Sequence, residues 1–88
     1  TKQRNKILEM QLALESYADD TQDNSQLVIN AFNEIKNYRE NLNKFDEPQI
    51  EQQGKEVLDT LSTTIESIGK DKFIFYDNGD IEYRYEVK

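Results

Sequence analysis

Apolar residues recur at alternating intervals of three and four positions along residues 28–45, and this pattern constrains the fold more than any other feature of the chain. Such spacing is typical of a helix that buries one face. The pattern stops before Pro48, and proline disfavours the helical conformation in the residue that precedes it. We therefore predict a helix over about residues 26–45. Its buried positions would be Val28, Ala31, Ile35, Tyr38, Leu42 and Phe45.

Two more segments carry helical spacing. The first covers about residues 5–18 and consists mostly of residues with high helix propensity. The third covers about residues 48–68, where Asp46 or Glu47 is expected to cap the start and Gly69 to end the helix in a left-handed conformation. The apolar positions of these two segments are Ile7, Met10, Leu14 and Tyr17 in the first and Ile50, Val57, Leu58, Leu61, Ile65 and Ile68 in the third.

The stretch between the first two segments, residues 19–25, allows two interpretations. It is polar and rich in aspartate, which predicts a loop, and Asp23 is placed to cap the second helix in a capping box. The two apolar stripes are nevertheless in phase, because Ile7 and Val28 are 21 positions apart, or three heptads. One long helix with a single polar layer is therefore the alternative.

The last segment, residues 72–87, predicts a β-hairpin. Asn78 and Gly79 would form a two-residue turn, since both tolerate the positive φ angles of a type I′ turn. This turn places Tyr76 opposite Ile81. The face expected to pack on the helices contains Ile74, Tyr76, Ile81, Tyr83, Tyr85 and Val87. The other face, expected to be half covered, contains Phe73, Phe75, Glu82, Arg84 and Glu86.

Together these elements predict a single domain of mainly α structure with a C-terminal β-hairpin. Two or three antiparallel helices, forming either a bundle or a coiled-coil-like hairpin, would pack against the two antiparallel strands. The core is expected to be thin, because only 35% of the 88 residues are hydrophobic and 33% are charged.

The charge balance argues against nucleic-acid binding. The chain carries a net charge of −7, and the sequence contains no basic stripe that could neutralise phosphates. We expect no direct nucleic-acid binding, whereas a basic protein surface is an electrostatically compatible partner. The sequence also lacks a run of about 20 apolar residues that would suit a membrane span. A cytoplasmic location is favoured over an extracytoplasmic anchored domain.

Catalytic and metal-binding chemistry has little support in this sequence. The chain has no histidine and no cysteine, which removes the most common general base and the usual ligands of zinc. The acidic residues Asp19, Asp20 and Asp23 lack the alternate ligand spacing and the bend glycine of a calcium loop. We therefore predict no catalytic residue, no metal site and no cofactor.

The sequence favours a non-enzymatic module for protein–protein interaction or assembly. The apolar stripe of the second helix is longer than one short third helix would cover, so we expect self-association as a homodimer. Aromatic residues and arginine, which are enriched in interfaces, are concentrated on the hairpin and favour it as a second contact surface. The candidate interaction residues are Val28, Ile35, Tyr38, Leu42 and Phe45 on the helix and Phe73, Phe75, Tyr83, Arg84 and Tyr85 on the hairpin.

Two alternatives belong to other functional classes. A small acidic inhibitor, encoded for example by a phage, would occupy a basic nucleic-acid-binding groove by presenting phosphate-like carboxylates. The second alternative is that the chain is the soluble domain of a membrane-anchored protein. The basic residues Lys2, Arg4 and Lys6 would then follow closely after the anchor. Frequent lysine, asparagine and isoleucine favour a bacterial or phage source.

Overall fold

The computed structural model of the chain describes residues 2–85 and shows three helices followed by a two-stranded antiparallel hairpin. The prediction of a mainly α fold with a C-terminal β-hairpin is thus confirmed. In chain order the elements are α1 (Lys2–Thr21), α2 (Gln26–Asn41), α3 (Glu47–Ile68), a 3-10 turn (Lys70–Lys72), β1 (Phe73–Phe75) and β2 (Ile81–Tyr83).

The first two apolar stripes belong to separate helices rather than to one continuous helix. The break follows Thr21, because Gln22 has a positive φ of 57° and cannot continue the helix. The predicted capping role of Asp23 is wrong, since Ser25 occupies the N-cap position of α2. Asp23 instead accepts hydrogen bonds through Oδ1 from the Ser25 N–H at 2.9 Å and through Oδ2 from the Tyr17 hydroxyl at 2.6 Å.

The connection between α2 and α3 is longer than predicted, with residues 42–46 between the two helices. Helix α2 ends at Asn41, four positions before the predicted end at Phe45, and the Phe45 N–H still donates to the Asn41 carbonyl at 3.1 Å. Asp46 is the N-cap of α3, and its N–H donates to Gln49 Oε1 at 3.3 Å, as in a capping box. Gly69 ends α3 with a positive φ of 124°, in agreement with the role predicted for it.

The helices run up, down and up, so that α1 and α3 are parallel and α2 is antiparallel to both. The starts of α1 and α3 lie together, because Arg4 forms an ion pair with Glu47 at 3.3 Å and Gln3 Nε2 donates to the Glu51 carbonyl at 3.0 Å. None of the helices within residues 2–85 has the length and apolar character needed to cross a membrane. The core consists of Ile7, Met10, Ala13, Leu14, Tyr17, Val28, Ala31, Ile35, Tyr38, Ile50, Val57, Leu61, Ile65, Phe73, Ile81 and Tyr83.

The predicted strand register is wrong by one residue. Ile81 lies opposite Phe75 rather than opposite Tyr76. The Gly79 N–H donates to the Tyr76 carbonyl at 3.0 Å, and the Tyr76 N–H donates to the Asp80 carbonyl at 2.9 Å. Gly79 has a φ of 92°, so the connection is a three-residue loop that ends in a left-handed glycine rather than a two-residue turn.

This shift exchanges the two faces of β1, because neighbouring residues of a strand point to opposite sides. Phe73, predicted on the half-covered face, is buried beside Ile81 and Tyr83. Ile74 and Tyr76, predicted to pack on the helices, lie on the outer face and are exposed. On β2 the prediction holds for Ile81 and Tyr83, which are buried, and is wrong for Tyr85, which is exposed. Val87 and Glu86, assigned to the two faces, lie outside the described residues.

Candidate interaction surface

The candidate residues of the α2 stripe, except Phe45, pack into the core of a single chain. Val28, Ile35 and Tyr38 are each only 2% exposed, and Leu42 packs half-buried against the same core. The expectation that this stripe needs a second copy to cover it has lost its basis, because α1 and α3 both contribute side chains to the core that encloses it. Phe45, which follows α2, is exposed and borders a groove with Pro48 and several glutamine side chains.

The candidate residues of the hairpin divide into two groups. Phe73 and Tyr83 are buried and hold the hairpin on the helices. Phe75, Arg84 and Tyr85 are exposed, with Phe75 at 55% and Tyr85 at 61%. The surface available to a partner therefore includes the exposed part of the hairpin, and the buried part fixes its position.

An aromatic cluster attaches the hairpin to α1. The rings of Tyr17, Phe73 and Tyr83 contact one another with centroids about 6 Å apart, and Tyr85 adds an edge-on contact with Tyr83 at 4.9 Å. The Tyr83 hydroxyl donates to Asp20 Oδ2 at 2.6 Å. Because this bond joins residues 63 positions apart, no local sequence pattern could have indicated it.

Two tyrosines and one aspartate of this region have shifted pKa values. Burial raises the pKa of Tyr17, and the hydrogen bond to Asp23 adds to this effect. The same hydrogen bond, together with the one from the Ser25 N–H, lowers the pKa of Asp23. On the outer face, partial desolvation raises the pKa of Tyr76, and the neighbouring charge of Glu82 raises it further.

The outer edge of β1 is the second feature of the hairpin that a partner can contact. The Tyr76 N–H donates to Asp80 and the Arg84 N–H donates to Lys72, so the even-numbered residues of β1 direct their backbone groups towards β2. The backbone groups of Phe75 consequently point away from β2. Within residues 2–85, no strand pairs with this side. We call the outward backbone of residues 73–76 and the exposed side chains of Ile74, Phe75 and Tyr76 the β1 edge.

Sequence reasoning assigned Phe75 to the interaction surface but missed Ile74 and Tyr76. Both were placed on the buried face by the incorrect register, whereas they are 39% and 44% exposed. No local signal identifies them, because Gly79 fits the last position of a two-residue turn as well as that of a three-residue loop.

Comparison with known proteins identified no relationship for this chain: no family model, no curated protein and no solved structure matches it. Among residues 2–85, no group of three or more acidic, histidine or cysteine side chains is arranged to hold a metal ion.

Proposed function

We propose that this chain is a non-enzymatic protein-interaction module that contacts its partner through the β1 edge. The observation that carries the proposal is the exposure of three consecutive apolar residues, Ile74, Phe75 and Tyr76, on a strand whose outer side is unpaired within the described residues. Exposed strand edges recruit a further strand because their backbone donors and acceptors are unsatisfied by protein. The apolar side chains beside the edge would add affinity.

The way in which the hairpin is held supports this role. Its inner side chains are fixed by the aromatic cluster and by the hydrogen bond between Tyr83 and Asp20, so the edge is presented in a defined position. A preorganised surface binds with a smaller loss of conformational entropy than a mobile one.

Site-specific photocrosslinking tests the proposal. A photoreactive phenylalanine analogue replaces Phe75 in one sample and Leu12 on α1 in a matched control, because these two side chains are 55% and 48% exposed. In extracts of the source cells, the variant at position 75 should give one discrete protein adduct that the variant at position 12 does not give. Equal labelling at both positions, or no adduct at position 75, would contradict the proposal.

A further inference from the structure

We infer that the partner of the β1 edge is a second copy of this chain, and that the two edges pair antiparallel to form one four-stranded sheet. The inference rests on the proposed function and specifies its partner. A two-fold axis perpendicular to the sheet relates the copies, so both sets of helices lie on the same side of the joined sheet. The axis passes beside Phe75.

The backbone hydrogen bonds of β1 determine where this axis lies. The Phe73 N–H already donates to the Lys70 carbonyl within the 3-10 turn. Pairing centred on Ile74 would require that donor for its central hydrogen bonds, whereas the two central bonds of pairing centred on Phe75 do not use it. When the two copies place Phe75 opposite Phe75, each Phe75 N–H donates to the Phe75 carbonyl of the other copy.

The same register covers the exposed apolar side chains of the strand. Phe75 of one copy lies beside Phe75 of the second, and Ile74 lies opposite Tyr76 of the second copy, once on each side of the axis. These three residues are 39–55% exposed in the single chain. Cross-strand pairs of two aromatic residues, or of an aromatic and a β-branched residue, are among the stabilising combinations in antiparallel sheets.

Charge favours the antiparallel arrangement over the parallel one. Lys70, Asp71 and Lys72 precede β1 and carry a net charge of +1, while Asp77 and Asp80 follow it and carry −2. Antiparallel pairing places the basic start of each strand near the acidic end of the other, whereas parallel pairing would place like charges together. Lys70 already forms an ion pair with Glu66 at 3.5 Å. Because both side chains of this pair are exposed, it competes only weakly with contacts of Lys70 to the second copy.

Molar mass measured by light scattering over a concentration series tests the inference. The unmodified chain should approach twice 10.4 kDa at high micromolar concentration. Phe75→Pro removes the N–H that bonds across the axis without removing a bond to β2, and Phe75→Lys places a charge at the axis. Each should weaken dimerisation by roughly tenfold or more, since both act at the centre of the contact. Leu12→Lys, a control on α1, should dimerise like the unmodified chain.

Cysteine crosslinking tests the register, and the absence of natural cysteines makes the result unambiguous. A mixture of Ile74→Cys and Tyr76→Cys chains should form a disulfide-linked heterodimer, because directly opposite residues have Cα atoms about 4.5–5.5 Å apart. The Ile74→Cys chain alone should crosslink poorly, since diagonal residues are about 7–8 Å apart. Efficient linkage of Ile74→Cys with itself would overturn the Phe75-centred register.

The outcomes separate this inference from the proposed function. A chain that stays at 10.4 kDa at high micromolar concentration, or dimers that tolerate both Phe75 substitutions, would overturn pairing between two copies. If such a chain still gives a position-75 adduct with a protein of different sequence, the proposed function stands and only the identity of the partner changes. If position 75 gives no adduct at all, both fail.

Discussion

Residues with a side chain are disfavoured at positions 54 and 79, both occupied by glycine, for different reasons. Gly54 lies buried in α3, where an added Cβ would collide with the end of the Gln3 side chain. Gly79 has open space around it, but its φ of 92° is one that other residues rarely adopt. The first limit depends on a side chain that can move, and the second depends on the backbone.

We predict that Gly54→Ala stabilises the chain once Gln3 is shortened. In a Gln3→Ala background the substitution should raise the free energy of unfolding by about 1 kcal/mol, which is the helix-propensity difference between glycine and alanine. In the natural background the gain should be smaller, because Gln3 must move and lose its bond to the Glu51 carbonyl. Denaturant unfolding of the natural chain and of the two single variants and the double variant measures this coupling. Destabilisation in both backgrounds would show that an atom other than Gln3 limits the site.

The hydrogen bond between Tyr17 and Asp23 predicts a specific acid sensitivity. Because this bond lowers the folded-state pKa of Asp23, the carboxylate contributes stability above its unfolded pKa. That contribution is lost as the pH falls through the lower, folded pKa. Tyr17→Phe should therefore flatten the acid limb of stability plotted against pH, although the Ser25 N–H preserves part of the slope. Parallel curves for the natural and substituted chains would exclude the effect.

At the scale of elements, the helices could be predicted from sequence because their signals are local. Stripes such as Ile7 to Tyr17 and Ile50 to Ile65 follow one helical face, and both were identified. The ends were less accurate, since α1 continues to Thr21 through aspartates that local propensity disfavours. Contacts formed after folding, such as the bond from Tyr83 to Asp20, outweigh such propensities.

The hairpin shows why the candidate site was only half predicted. An Asn-Gly pair fits both a two-residue turn and the end of a three-residue loop, and the two differ by one residue in register. The structure has the three-residue loop, which buries Phe73 instead of Ile74. The two registers differ in which β1 side chain packs on the helices, and the contact of Phe73 with the Tyr17 ring of α1 is not local to the hairpin.

We predict that Gly79→Ala weakens the hairpin. Alanine at a φ of 92° should cost about 1 kcal/mol or more, because its Cβ crowds the backbone in this conformation. Gly79→Asn is the matched variant and should cost less, since asparagine tolerates positive φ better. Amide hydrogen exchange of β1 and β2 measures the loss. If alanine is tolerated as well as glycine, the assigned loop conformation is incorrect.

At the scale of the molecule, the helical bundle encloses the α2 stripe. Helices α1 and α3 both supply side chains to the core around α2, and the hairpin lies along α1, giving overall dimensions of 47 × 30 × 17 Å. The prediction of dimerisation through α2 assumed that only the third helix covers the apolar stripe of α2. Because the parallel arrangement of α1 and α3 is a tertiary feature, the stripe spacing alone could not reveal it.

The central claim is that contact between copies involves the β1 edge and not the helical stripes. A dilution series of the isotope-labelled chain, followed through its backbone amide NMR signals, tests this claim most directly. The account predicts concentration-dependent shifts centred on Phe75 and its neighbours in residues 72–77, with the α2 signals unchanged. Shifts centred on α2, or spectra that do not change with concentration, would contradict it.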